Sequence, residues 1–144
     1  MFAFVVRRLY FLKHIPFAPQ VFDSFMKVSA SIFNPALNSA LDTIEREVTS
    51  WNGVNSKLHK YGGIEFSFHG KELGHIHSNG LLDILFSLEI KKKLLHKGLA
   101  DHHHKFPDSG WISFYIRKEG DENRAVQLLK YSYQVRSGLA PYSP

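Results

Sequence analysis

The sequence predicts an α+β domain. Its mostly antiparallel sheet has about five strands, with two N-terminal helices, one mid-chain helix and a C-terminal helix. Three observations carry this prediction. Apolar residues recur at helical spacing before residue 51 and after residue 120. Between them the period switches to two, punctuated by turn residues at Gly62-Gly63, Gly70-Lys71, Asn79-Gly80 and Pro107-Asp-Ser-Gly110. The strands also cluster together instead of alternating regularly with helices, which favours an antiparallel sheet over a parallel one.

Residues 1–18 read as an extended arm closed by Pro16 and Pro19. Phe2, Phe4, Tyr10, Phe11 and Phe17 beside Arg7, Arg8 and Lys13 suit packing on the domain or on a second subunit, so a homodimer is one expectation. A peripheral membrane anchor is the alternative. Residues 19–137 form the single domain and 138–144 a loose tail. Val21, Phe25, Val28 and Ile32 mark a first helix over 20–33. Asn34 then caps a second, with Pro35 at its first position and Leu37, Leu41, Ile44 and Val48 as its buried stripe.

Strands follow at Val54–His59, around Ile64–Phe68, at Leu73–Ser78 and at Leu81–Phe86, the last broken only by Asp83. Ser87 is a good cap for a helix over 88–97 that exposes Lys91-Lys92-Lys93 and stops at Gly98. Ala100–Phe106 and Trp111–Arg117 make a second hairpin around the Pro-Asp-Ser-Gly turn. Gly120 or Asp121 opens the last helix, with Val126, Leu129 and Tyr133 facing inward.

Composition narrows the chemistry. A chain of 144 residues with 44% hydrophobic and 22% charged residues is an ordinary single globular domain. With no cysteine, disulfides, Cys-ligated zinc, iron–sulfur clusters and thiol catalysis are excluded. The same absence fits a reducing, cytoplasmic location. No run approaches the roughly 18–20 apolar residues of a membrane-spanning helix. The net charge of +5 permits contact with phosphates, although a solvated surface explains it as well.

Two histidine-bearing segments are the candidate site: Glu72-Leu-Gly-His75-Ile-His77 and His102-His-His104 leading to Trp111. A two-residue turn at Gly70-Lys71 sets His75 opposite Phe66 and His77 opposite Ile64, on the apolar face. A one-residue slip puts both on the polar face. In the second hairpin, Phe106 opposite Trp111 sets His103 with Ile112, Phe114 and Ile116, while His102 and His104 face Trp111 and Tyr115. The candidate ligand-binding set is therefore His75, His77, His103, Asp83, Trp111 and Tyr115. For any one of these histidines the plainer reading is a core imidazole with satisfied ring nitrogens. The sharper one is a divalent metal held by His75, His77, His103 and Asp83, because histidines at i, i+2 on a strand project to one side.

From about Trp51 to Arg136 the chain resembles the bacterial and fungal "luciferase domain" family of small proteins. The stretches that carry this are Trp51-Asn-Gly-Val54, His59-Lys-Tyr-Gly-Gly-Ile-Glu-Phe66, Glu72-Leu-Gly-His-Ile-His77 with Leu81-Leu-Asp-Ile84, and His103-His104 through Pro107-Asp-Ser-Gly-Trp111 to Arg117. The closing helix with Ala125, Leu128, Leu129 and Ser132-Tyr133 also fits. Asn52 stands where the pattern has Pro. The resemblance brings no catalytic residues with it, and the family's name is not evidence of light emission. The order of elements is also similar to that of MmcQ/YjbR-like proteins, which have been proposed to bind DNA.

Three functions follow as expectations. The first is a non-catalytic domain that binds a small molecule or a protein at a histidine-lined site. The second is a metal-assisted or oxidative enzyme using His75, His77, His103 and Asp83. The third is a nucleic-acid-binding module using Lys91–Lys93, Arg117 and Arg124.

Overall fold

Three helices and six strands make up residues 34–60 and 62–139, the part of the chain that the computed structural model describes. They run α1 (Pro35–Thr49), β1 (Val54–Leu58), β2 (Ile64–Phe68), β3 (Lys71–Ile76), β4 (Leu81–Leu85), α2 (Leu88–His96), β5 (Asp101–His102), β6 (Trp111–Tyr115) and α3 (Asp121–Ser137). The arm over 1–18, the helix expected over 20–33 and the end of the tail lie outside the described residues. The sheet has one strand more than expected, because Asp101–His102 pairs with β6 as a two-residue edge strand. No described helix is long and apolar enough to cross a membrane.

The helix ends follow local chemistry. Asn34 Oδ1 accepts the Leu37 N–H at 3.1 Å, and Ser87 Oγ accepts the Ile90 N–H at 3.2 Å, each satisfying one unpaired donor of a first turn. Gly98, just past α2, takes a φ of +63°, which a side chain would strain. In α1, Ile44 and Val48 are fully buried, as the stripe predicts. In α3 the buried residues are Ala125, Leu128, Leu129, Tyr131, Ser132 and Tyr133, while Val126 is only half-buried. The expected solvated lysine face of α2 is corrected at Lys91. This residue is buried, and its ammonium donates to the carbonyls of Pro107 at 2.5 Å and Ser109 at 2.7 Å.

The sheet is antiparallel throughout, in the order β1-β2-β3-β4-β6-β5. α3 crosses β2, β3 and β4, α1 meets β1, and the two helices pack on each other. Phe66, Leu73, Ile76, Leu82, Ile84 and Ile112 meet Ile44, Val48 and Leu129 in the core between sheet and helices. Ser132 Oγ bonds the Leu73 carbonyl at 2.7 Å, which ties α3 to β3. Gly74 allows that approach: a Cβ there would sit 2.8 Å from the Ile84 side chain and 3.2 Å from that of Leu129.

The register differs from the expectation in both hairpins. In the first, the tight turn is His69-Gly70, with φ of +47° and +78°, and Phe68 pairs with Lys71. Two central residues at positive φ match the twist of the flanking strands, as the Gly-first turn expected at Gly70-Lys71 would also have done. A β-bulge next to Phe66 then adds a residue to β3, so Phe66 pairs with Gly74 and Glu65 pairs with His75. The net slip of one residue carries His75 to the polar face of the sheet.

In the second hairpin, Asp101 pairs with Ser113 and His102 with Ile112. The strand expected over Ala100–Phe106 is therefore only two residues long, and His103–Gly110 is a loop. Its backbone groups are satisfied without a ladder: His103 Nδ1 accepts the N–H groups of Lys105 and Phe106, and Lys91 takes two of the carbonyls.

Candidate functional site

One row of residues crosses all six strands on the face opposite α3. Pair by pair it reads Lys57, Glu65, His75, Asp83, Ser113 and Asp101. Directly opposed residues share a face, so this row is a polar ladder through the middle of the sheet. Its centre is Asp83 on β4, only 1% exposed. The apolar neighbours Leu82 and Ile84 point into the core and fix which way Asp83 must face.

Three imidazoles converge on one oxygen of that carboxylate. The Nε2 atoms of His77, His103 and His75 lie 3.1, 3.5 and 3.7 Å from Asp83 Oδ2. The other oxygen, Oδ1, accepts the Ser113 hydroxyl at 2.5 Å. Each histidine arrives from a different local cause. His75 is the β3 partner of Asp83, and His77 lies just past the end of β3, where its own N–H bonds the Leu81 carbonyl. His103 follows the short β5 and is oriented by the loop N–H groups that its Nδ1 accepts.

Glu72 and His75 are three apart, which in an unbroken strand would set them on opposite faces. The bulge between them restores a common face, and His75 Nδ1 donates to Glu72 Oε1 at 2.6 Å. That bond places a proton on Nδ1 and turns Nε2 toward the Asp83 side. The opposite tautomer holds at His103: Nδ1 accepts two backbone N–H groups, so the proton sits on Nε2 and faces Asp83.

His59 completes the cluster, its ring stacked on that of His75 with centroids 4.0 Å apart. The chain brings it there through the Gly62-Gly63 turn. A Cβ on Gly63 would lie 2.0 Å from the Ile76 carbonyl, so only glycine permits this close passage.

Charge states follow from these contacts. Burial would raise the pKa of Asp83, but hydrogen bonds from His77 and Ser113, with His103 and His75 nearby, outweigh it and hold the carboxyl below its ordinary value. The hydrogen bond from His75 lowers Glu72, against a smaller effect of burial. Burial lowers His103, the nearby Asp83 opposing it only in part. Burial also lowers His59, reinforced by His75. Near neutral pH the site is therefore two carboxylates among histidines, with His59 and His103 neutral.

The residues expected at the site divide. His75, His77, His103 and Asp83 come together, but on the polar face and not the apolar one. Trp111 joins them, its ring centroid 5.6 Å from that of His75 and 5.9 Å from that of His103. Tyr115 shares the Trp111 face four residues along β6, yet it pairs with Leu81 and carries the Arg117 guanidinium over its ring at 4.3 Å. His102 is exposed, and His104 stacks on His103 from the outside.

Sequence reasoning missed His59 and Ser113 as members. The alternation that set Trp111 and Tyr115 on one face already included Ser113. Two sets of three groups have ligating atoms within 4.8 Å of one another: His75, His77 and Asp83, and His59, Glu72 and His75.

A cavity of about 550 Å³ lies away from this cluster, between the start of α1 and the turn after β6, lined by Leu37, Ala40, Thr43, Asn79, Arg117 and Glu122 among others. At the histidine site, Asp83 is only 1% exposed.

Comparison with known proteins returned no match among curated proteins and none among solved structures. A family model did match. Residues 70–132, which hold Glu72, His75, His77, Asp83, His103 and Trp111, match the Luciferase domain family, as the sequence motifs led one to expect.

Proposed function

We propose that this protein is a ligand-binding domain whose site is the histidine cluster around Asp83. The observation that carries the reading is the approach of three imidazole Nε2 atoms to a single oxygen of a carboxylate buried in the sheet. A carboxylate placed there is costly unless it is compensated. This one is surrounded by groups whose proton positions are set from outside, by Glu72 on His75 and by the loop backbone on His103. Such preorganisation suits recognition. With Asp83 only 1% exposed, the ligand that suits it is an ion or a group of few atoms.

The contacts weigh against nucleophilic catalysis by Ser113 and against nucleic-acid binding. Ser113 gives its proton to Asp83 and not to a histidine, so no activated hydroxyl nucleophile is present at the cluster. Nucleic-acid binding loses Lys91 to the loop carbonyls, pairs Lys93 with Glu89 at 2.7 Å, and has Arg117 lying over Tyr115.

The test is NMR of the full chain, uniformly isotope-labelled, titrated separately with zinc, phosphate and a fragment library. Shifts centred on His75, His77, His103 and Trp111 are expected from at least one of these. Ligand-induced shifts confined to Leu37, Thr43 and Arg117 would move the site to the cavity beside α1.

A further inference from the structure

We infer that the ligand is a first-row divalent transition-metal ion held by three groups, His75 Nε2, His77 Nε2 and Asp83 Oδ2. This deepens the site reading above and rests on it. Ligand atoms about 2.0–2.2 Å from a shared ion stand roughly 2.8–3.6 Å apart at tetrahedral or octahedral angles. The His77–Asp83 separation of 3.1 Å falls inside that range and the His75–Asp83 separation of 3.7 Å just beyond it. All three ligating atoms lie within 4.8 Å of one another. Binding therefore needs only small side-chain adjustments.

The surroundings decide which histidines take part. Glu72 receives the Nδ1 proton of His75, which fixes the tautomer whose Nε2 can ligate, and a carboxylate behind a ligating imidazole raises its basicity. His103 has the opposite arrangement. Its Nδ1 lone pair is taken by the Lys105 and Phe106 N–H groups, which holds the proton on Nε2 and keeps that atom from ligating, whereas at His77 the Nε2 proton given to Asp83 passes to Nδ1 or to solvent when an ion binds. His103 is a positioning residue for Asp83, as is Ser113 on the other oxygen. The second set, His59, Glu72 and His75, fails on distance. At 2.6 Å the Glu72–His75 contact is a hydrogen bond, shorter than the separation of two atoms sharing an ion.

Two imidazoles and a carboxylate on one side leave further coordination positions to water or a substrate, the pattern of a reactive centre as opposed to a closed structural one. The nitrogen donors select zinc, iron(II), cobalt(II) or nickel(II) over magnesium and calcium, which prefer oxygen donors.

The experiment uses the full chain purified without a polyhistidine tag, stripped by chelator and titrated with cobalt(II) and with zinc by visible absorption and calorimetry. One ion per chain is expected. His77→Ala, at a half-exposed position that leaves the core intact, should lose at least about 100-fold in affinity, and Glu72→Gln about tenfold or more. His103→Gln should lose less than tenfold, and His96→Ala on α2 should bind as the parent does. The proposal is overturned if the folded parent shows no saturable binding below about 100 µM. Equal loss in His77→Ala and His103→Gln would overturn the ligand set. If metal fails to bind while fragments still shift the His75 and His77 resonances, the metal inference falls and the site reading stands.

Discussion

Replacing Lys91 with Met tests how the His103 loop is held. Lys91 is 3% exposed, and its ammonium makes bonds of 2.5 and 2.7 Å to the carbonyls of Pro107 and Ser109. Met keeps most of the aliphatic stem, so packing changes little. What is lost is two charge-assisted bonds, each worth about 1.5–3 kcal/mol when nothing replaces it. Pro107 is exposed and Ser109 half-buried, so water can restore part of the carbonyl bonding. The cost should therefore sit near the low end, about 2–3 kcal/mol in total. In a domain of this size that is a fall in melting temperature of roughly 8–12 °C. Urea unfolding should show the lower midpoint with an unchanged slope, and amide exchange at Lys105 and Phe106 should quicken as the loop loosens around His103. A loss below about 0.5 kcal/mol with unchanged exchange would refute the reasoning, because the loop would then be held by its own turns alone.

Two further predictions address packing and pH. Gly74→Ala should destabilise by about 1–3 kcal/mol, since the added methyl would lie 2.8–2.9 Å from the Ile84 side chain and the Asp83 carbonyl; a neutral result in denaturant unfolding would mean that β4 and α3 yield easily. Asp121 accepts the N–H groups of Arg117 and Lys118 at the start of α3, and these backbone bonds, first that of Arg117, lower its pKa. A depressed folded-state pKa gives stability that is present above the unfolded value near 3.9 and lost as pH falls through the folded one. Asp121→Asn should therefore flatten the acid limb of the stability curve below about pH 4, and an identical acid limb in both proteins would count against the cap.

How much of this was legible can be traced residue by residue. The caps at Asn34 and Ser87 are local signals, and each appears as written because a cap depends on only three or four consecutive residues. Strand positions were legible from alternation, and with them the α+β class. Register was not. The choice between Gly70-Lys71 and His69-Gly70 turns on one residue, and a bulge leaves no compositional mark beyond the Leu73-Gly74 pair itself.

The burial of Lys91 was hidden for another reason. Its partners are 16 and 18 residues away in a loop whose path depends on the length of β5. The convergence of His75, His77, His103 and Asp83 was anticipated from spacing, although on the wrong face. The roles of Glu72 and His59 needed the bulge and the Gly63 crossing, neither of which periodicity can report.

The bulge beside Phe66 also bears on how this chain can change in length. Residues before and after it are in different phase, so the strand behaves like a reading frame. Inserting one residue between Gly74 and His75 would turn His75 and His77 inward and bring Ile76 to the surface, and deleting Leu73 would keep their face but empty a fully buried core position. The loop from His103 to Gly110 has no such phase to keep. Near its exposed tip at Asp108 an extra residue only lengthens a path between fixed ends, at a small entropic cost. Homologous chains should therefore hold the Glu72–His77 segment to one length and vary freely in length near residue 108.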